Sequence, residues 1–99
     1  MLARWTVRYG PEFARSKSTC HVSPQRLDLS LKAIELSLER DPFRFSQAFA
    51  DDAHRVIQTK DDFEDGFILT AFVVLYTKRV AEIKWIETHP LPNGNNEPT

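Results

Sequence analysis

The stretch FILTAFVVLY, Phe67 to Tyr76, is the longest apolar run in the chain, and its reading decides the fold. At ten residues it is about half the length a membrane-crossing helix needs. On an extended chain Phe67, Leu69, Ala71, Val73 and Leu75 fall on one face, and Ile68, Phe72, Val74 and Tyr76 on the other. Such β-branched and aromatic content suits a strand. A strand apolar on both faces belongs in the middle of a sheet, with cover above and below. The polar loop KDDFEDG leads into it, and its last residue, Gly66, is the natural place for a positive φ.

Strand signals flank this centre. After it, Thr77-Lys78-Arg79 is a tight polar connection. VAEIKWI (80–86) then alternates, with Ala81, Ile83 and Trp85 opposed to Glu82 and Lys84. Before it, HRVIQT (54–59) reads as a further strand. ARWTVRY (3–9) places Ala3, Trp5, Val7 and Tyr9 opposite Arg4, Thr6 and Arg8, and Gly10-Pro11 ends it. Residues 11–20 suit a short helix anchored by Phe13.

The helical signal is strongest over residues 24–40. Ser23 is placed to cap the free N–H groups and Pro24 fits the first helical position. Leu27, Leu31, Ile34 and Leu38 form one stripe, widened by Leu29, Ala33 and Leu36, with Asp28, Lys32, Glu35 and Glu39 on the polar side. Asp41-Pro42 stops the helix. Residues 43–49 are expected to connect helix to sheet and pack beneath it.

These elements predict one α+β domain over residues 1–87, a long helix with short helical segments packed on an antiparallel sheet of about four strands. The predicted core is Trp5, Val7, Leu27, Leu31, Ile34, Leu38, Phe72, Val74, Ile83 and Trp85. The stretch THPLPNGNNEPT (88–99) has no apolar periodicity and is expected to be a flexible tail.

Composition narrows the class. The chain has 99 residues, 41% hydrophobic and 27% charged, which is globular rather than disordered. One cysteine, Cys20, leaves no internal disulfide, and the opening MLARWTVRYG lacks the apolar run of a secretory leader. Both suit a cytoplasmic protein. Residues 1–26 carry five basic residues against one acidic, the remainder eight against thirteen. Any anion would be gripped by a local patch rather than the whole surface.

The chemistry-bearing residues are dispersed. Asp61, Asp62, Glu64 and Asp65 lack the spacing of a calcium loop, and His21, His54 and His89 lack that of a zinc site, so neither metal nor cofactor is expected. A basic set remains: Arg55 and Lys60 around the second strand, Lys78 and Arg79 at the hairpin, and Lys84 on the last strand, with His54 and Tyr76 nearby. Cutting RNA without a metal needs cations on the phosphate and groups that move protons. On that chemistry Arg55, Lys60, Arg79 and Lys84 are the candidate RNA- or phosphate-binding cations, and His54 and Tyr76 the candidate catalytic residues. The plainer alternative is that they are solubilising charges at strand ends.

The order of elements, with WTVRYGPEF, LERDPF and HRVIQT…GFILTAFVVLY…VAEIKWIE, resembles the RelE/ParE-like toxin superfamily, its HigB-like members included, over residues 3–87. The resemblance implies the toxin component of a type II toxin–antitoxin module. Such a toxin inhibits growth by metal-independent RNA cleavage or by binding a target. Its partners would be RNA or the ribosome, and a small antitoxin protein or a second copy. The chain departs from RNA-cutting members in its pI of 6.3, since they are strongly basic, and in its central strand. That strand reads LTAFVV, with Thr70 and Ala71 where many members have arginine. The alternative is a non-catalytic interaction domain on the same fold.

Overall fold

The structure is a computed structural model and describes residues 4–91. In chain order it runs β1 (Thr6–Tyr9), α1 (Phe13–Ser18), α2 (Pro24–Arg40), α3 (Pro42–Phe45), β2 (Gln47–Phe49), β3 (Asp51–Asp61), β4 (Phe67–Tyr76) and β5 (Val80–Pro90). The sheet order is β1-β5-β4-β3-β2, which puts FILTAFVVLY at the centre as its two apolar faces require.

The sheet differs from expectation in two ways. It has five strands, because Gln47–Phe49 forms a short, fully exposed edge strand that turns through the left-handed Ala50 (φ 74°) into β3. It is also mixed. β3, β4 and β5 are antiparallel, but β1 runs parallel to β5, from Thr6 opposite Val80 to Tyr9 opposite Ile83. The last strand also runs on past residue 87, with Thr88, His89 and Pro90 opposite Leu69, Ile68 and Phe67. The rest of the expected tail, 92–99, lies outside the described residues.

Helix α2 covers one face of the sheet. Leu27, Leu31, Ile34 and Leu38 are buried against Leu69, Ala71, Val73 and Leu75 of β4, Ile57 of β3, and Ala81, Ile83 and Ile86 of β5. Trp5 and Val7 pack on this core only partly buried. Leu29 (71% exposed) and Leu36 (45%) lie in solvent, so the stripe is narrower than the sequence suggests. Asp41, next to Pro42, leaves helical geometry at φ −163° and accepts a bond from the Arg44 N–H at 3.2 Å, capping α3. Ser23 makes no side-chain cap; its carbonyl accepts the Leu27 N–H at 2.9 Å. The positive φ expected at Gly66 is found one residue earlier, at Asp65 (φ 57°). Gly66 is required by space instead: a Cβ there would stand 2.1 Å from the Asp61 carbonyl oxygen.

A bulge in β5 sets what the other face carries. Val73 pairs with Ile83 but Phe72 pairs with Trp85, so Lys84 has no opposite number. One extra residue reverses the alternation beyond it. Ile86 therefore enters the core, while Trp85, expected inside, joins Phe72 on the opposite face. Phe72 and Val74, also expected in the core, are half-buried there with Val56, Ile68 and Trp85. The helices all pack on the first face, through Leu31 and its neighbours, Phe13, and the contacts of α3 with Arg55. Among the described residues no helix covers the second face.

Candidate functional site

The open face carries a groove of about 460 Å³ at the β3–β4–β5 junction. Its floor is Phe72 and Val74, and Phe49 leans over it with its ring centroid 6.1 Å from that of Phe72. His54, Tyr76 and Lys84 line its rim. They meet because His54 stands opposite Val74 on β3, Tyr76 is two residues further along β4, and the bulge presents Lys84.

Glu82, only 6% exposed, organises the positive charge. Its Oε1 accepts from Arg8 Nε at 2.7 Å and its Oε2 from Lys84 Nζ at 3.1 Å. Burial pushes the Glu82 carboxyl up, but the hydrogen bonds from Arg8 and Lys84 more than offset this and hold it below the usual carboxylate range. The same bond to Glu82 holds Lys84 protonated more firmly than usual. Gly10 leaves room for the carboxylate, since a Cβ there would approach Oε2 to 2.8 Å. Arg8 also lies over the Tyr76 ring, 5.0 Å from its centroid.

At the other rim His54 Nδ1 is 2.8 Å from Asp51 Oδ1. That oxygen also accepts the backbone N–H groups of His54 at 2.8 Å and Ala53 at 3.0 Å. The His54 side-chain bond, with these backbone bonds, keeps Asp51 below the usual carboxylate range. A charged carboxylate accepts, so Nδ1 carries the proton, and in the neutral ring Nε2 keeps its lone pair. The groove thus combines an apolar floor, an oriented imidazole, a phenol and a cation, Lys84, which shares the Glu82 carboxylate with Arg8 beside it.

Of the other candidate residues, Arg55 borders the groove, whereas Lys60 and Arg79 lie elsewhere. Arg55 is buried on the helix-covered face, where its guanidinium donates to Ser46 Oγ (2.9 Å), the Ser46 carbonyl (2.9 Å) and the Phe43 carbonyl (3.2 Å). It ties α3 and β2 to the sheet, which commits its Nε and Nη2 donors there. Lys60, opposite Ile68, pairs with Asp62 at 3.4 Å. Six residues of extended chain put it roughly 20 Å from His54. Arg79 sits at the β4–β5 turn and lines a different cleft. Arg8, Asp51, Glu82 and Phe49 were not anticipated. The polar-face alternation of Arg8 and Glu82 was a signal for two of them, but only the parallel β1–β5 register makes them neighbours.

Among the described residues no group of three or more His, Cys, Asp or Glu side chains is placed to hold a metal ion. No described helix is long and apolar enough to cross a membrane. Compared with known proteins, the chain matches no family model, no curated protein and no solved structure.

Proposed function

We propose that the chain is a toxin-type effector of the RelE/ParE-like kind that acts by binding a macromolecular target through the open face of its sheet. One observation carries this reading. The central strand is apolar on both sides, yet among the described residues helices cover only one, so Phe72, Val74 and Trp85 remain half-buried on a face where Lys84 and His54 rim the groove. An apolar floor with a polar rim is the usual make-up of a protein-binding surface. A small antitoxin-type protein or a second copy would cover the same face when the effector is held silent.

A second reading, metal-independent RNA cleavage, is favoured by the His54–Asp51 pair in one groove with Tyr76 and Lys84. Induced expression in a bacterium separates the two. Growth arrest with intact mRNA, relieved by Phe72→Glu, supports target binding. Arrest with cleaved mRNA, relieved by His54→Ala, supports the second reading. Normal growth leaves a non-catalytic interaction domain.

A further inference from the structure

At the end of the molecule formed by the C-terminus of α2, by α3 and by the β4–β5 turn lies a cleft of about 680 Å³, inside the roughly 300–1,000 Å³ range of small-ligand sites. Four cationic side chains line it, Arg40, Arg44, Lys78 and Arg79, against one carboxylate, Asp41. That carboxylate already accepts the Arg44 backbone N–H. Among the described residues neither Arg40 nor Lys78 has a carboxylate partner. In a chain of net charge −1, such an excess within one cleft is a local field for an anion.

Aromatic rings make up the rest of the lining. Phe43 is 54% exposed and Phe45 39%, both large apolar side chains left in solvent. The Arg44 guanidinium lies over the Phe45 ring, 5.4 Å from its centroid. Exposed rings beside Arg40, Arg44 and Lys78 suit a ligand that has both a flat π-system and negative charge. The backbone adds a further sign. Lys78 and Arg79 hold left-handed φ of 66° and 60°, positions where Asn or Gly is the unstrained choice, yet both are cationic.

We propose that this cleft is a nucleotide-binding site, taking an aromatic base against Phe43 and Phe45 and its phosphates among Arg40, Arg44 and Lys78. It does not rest on the target-binding reading: the cleft shares Tyr76 with the groove on the open face, but none of Arg40, Arg44 and Lys78 borders that groove. The shared chemistry, a base carrying phosphate, is offered both by free nucleotides and by the end of a single strand.

Isothermal titration of the whole chain at low salt tests it, with ATP, tripolyphosphate, adenosine and a short oligouridylate as probes. ATP or the oligouridylate is expected to bind saturably and to weaken as salt rises. Tripolyphosphate and adenosine, each half of the recognition, are expected to bind at least about tenfold more weakly. Arg40→Gln with Lys78→Gly should weaken binding by about tenfold or more. Lys78→Gly alone relieves a left-handed residue, so a loss of affinity there cannot be blamed on unfolding. Tighter binding of ATP identifies the free nucleotide as the source, and tighter binding of the oligouridylate identifies a strand. The proposal is overturned if neither binds, if the double variant binds as well as the parent, or if tripolyphosphate binds as tightly as both.

Discussion

Ser16 Oγ accepts the backbone N–H of Ile86 at 3.0 Å, joining residues 70 positions apart, while its own proton goes to the Phe13 carbonyl at 2.8 Å. Ser16 is fully buried. The hydroxyl replaces a strand partner for β5 just beyond the point where β1 ends, and so pins α1 to the sheet. Ser16→Ala would leave a buried N–H without an acceptor, a loss of about 1–3 kcal/mol. The urea midpoint should fall accordingly; an unchanged midpoint would mean that water or a shift of α1 satisfies Ile86.

Arg55→Ala should be as damaging, by about 1–3 kcal/mol, because it strips three hydrogen bonds from the link between α3 and β2. Lys84→Ala, at the rim of the groove, should cost less, since Lys84 itself lies in solvent and Glu82 keeps its bond from Arg8. Thermal melts of both variants check the contrast. If the proposed effector activity is found, its loss in an Arg55 variant has to be read alongside stability, whereas its loss in a Lys84 variant reports on the groove.

Lys78→Gly should raise stability by up to about 1 kcal/mol, since a left-handed L-residue costs roughly 1–2 kcal/mol and glycine pays back part of this in the unfolded chain. A midpoint that drops instead would show that the Lys78 side chain makes a contact worth more than its strain.

Acid should unfold the domain through its paired carboxylates. Arg26 holds Asp61 by two hydrogen bonds, Nε to Oδ2 at 2.8 Å and Nη2 to Oδ1 at 2.9 Å, which keeps Asp61 below the ordinary carboxylate range. Asp51 and Glu82 are shifted the same way. A carboxyl whose folded value is depressed contributes stability above its unfolded value, about 3.9 for Asp and 4.3 for Glu, and that contribution is lost as pH falls through the folded value. Glu35 works in the opposite direction: burial, then Glu39, raises it, so its burden at neutral pH lifts on protonation. Denaturation followed from pH 7 to pH 2 should show stability falling below about pH 4, with a shallower fall in Asp61→Asn. An equally steep fall in that variant would remove Asp61 from the account.

The elements were legible where one local pattern controls them. Periodicity and the Asp41-Pro42 stop place the long helix at Pro24–Arg40, and the two-faced run places the central strand at Phe67–Tyr76. What escaped depends on pairing between distant segments. Trp85 was assigned to the core because alternation was carried through Lys84, and a bulge is visible only once Val73 and Phe72 have chosen partners. Arg55 was read as a surface cation because its partners, Ser46 and Phe43, lie in a segment with no periodicity. The groove was half legible: His54, Arg55, Tyr76 and Lys84 belong to it, but Arg8 comes to share Glu82 with Lys84 only through the parallel edge pairing.

That pairing has a consequence during synthesis. Every partner of β1 lies on β5, and Thr6 meets Val80, 74 positions later. At translation rates of about 5–20 residues per second, β1 would wait roughly 4–15 s for its partner to be made. The first strand to leave the ribosome would thus be the last to be seated. Until then Arg8 would be without Glu82, and β1 would have no strand beside it. A nascent chain stalled before Val80 should accordingly expose Trp5 and Val7 to a chaperone or protease that the finished fold excludes.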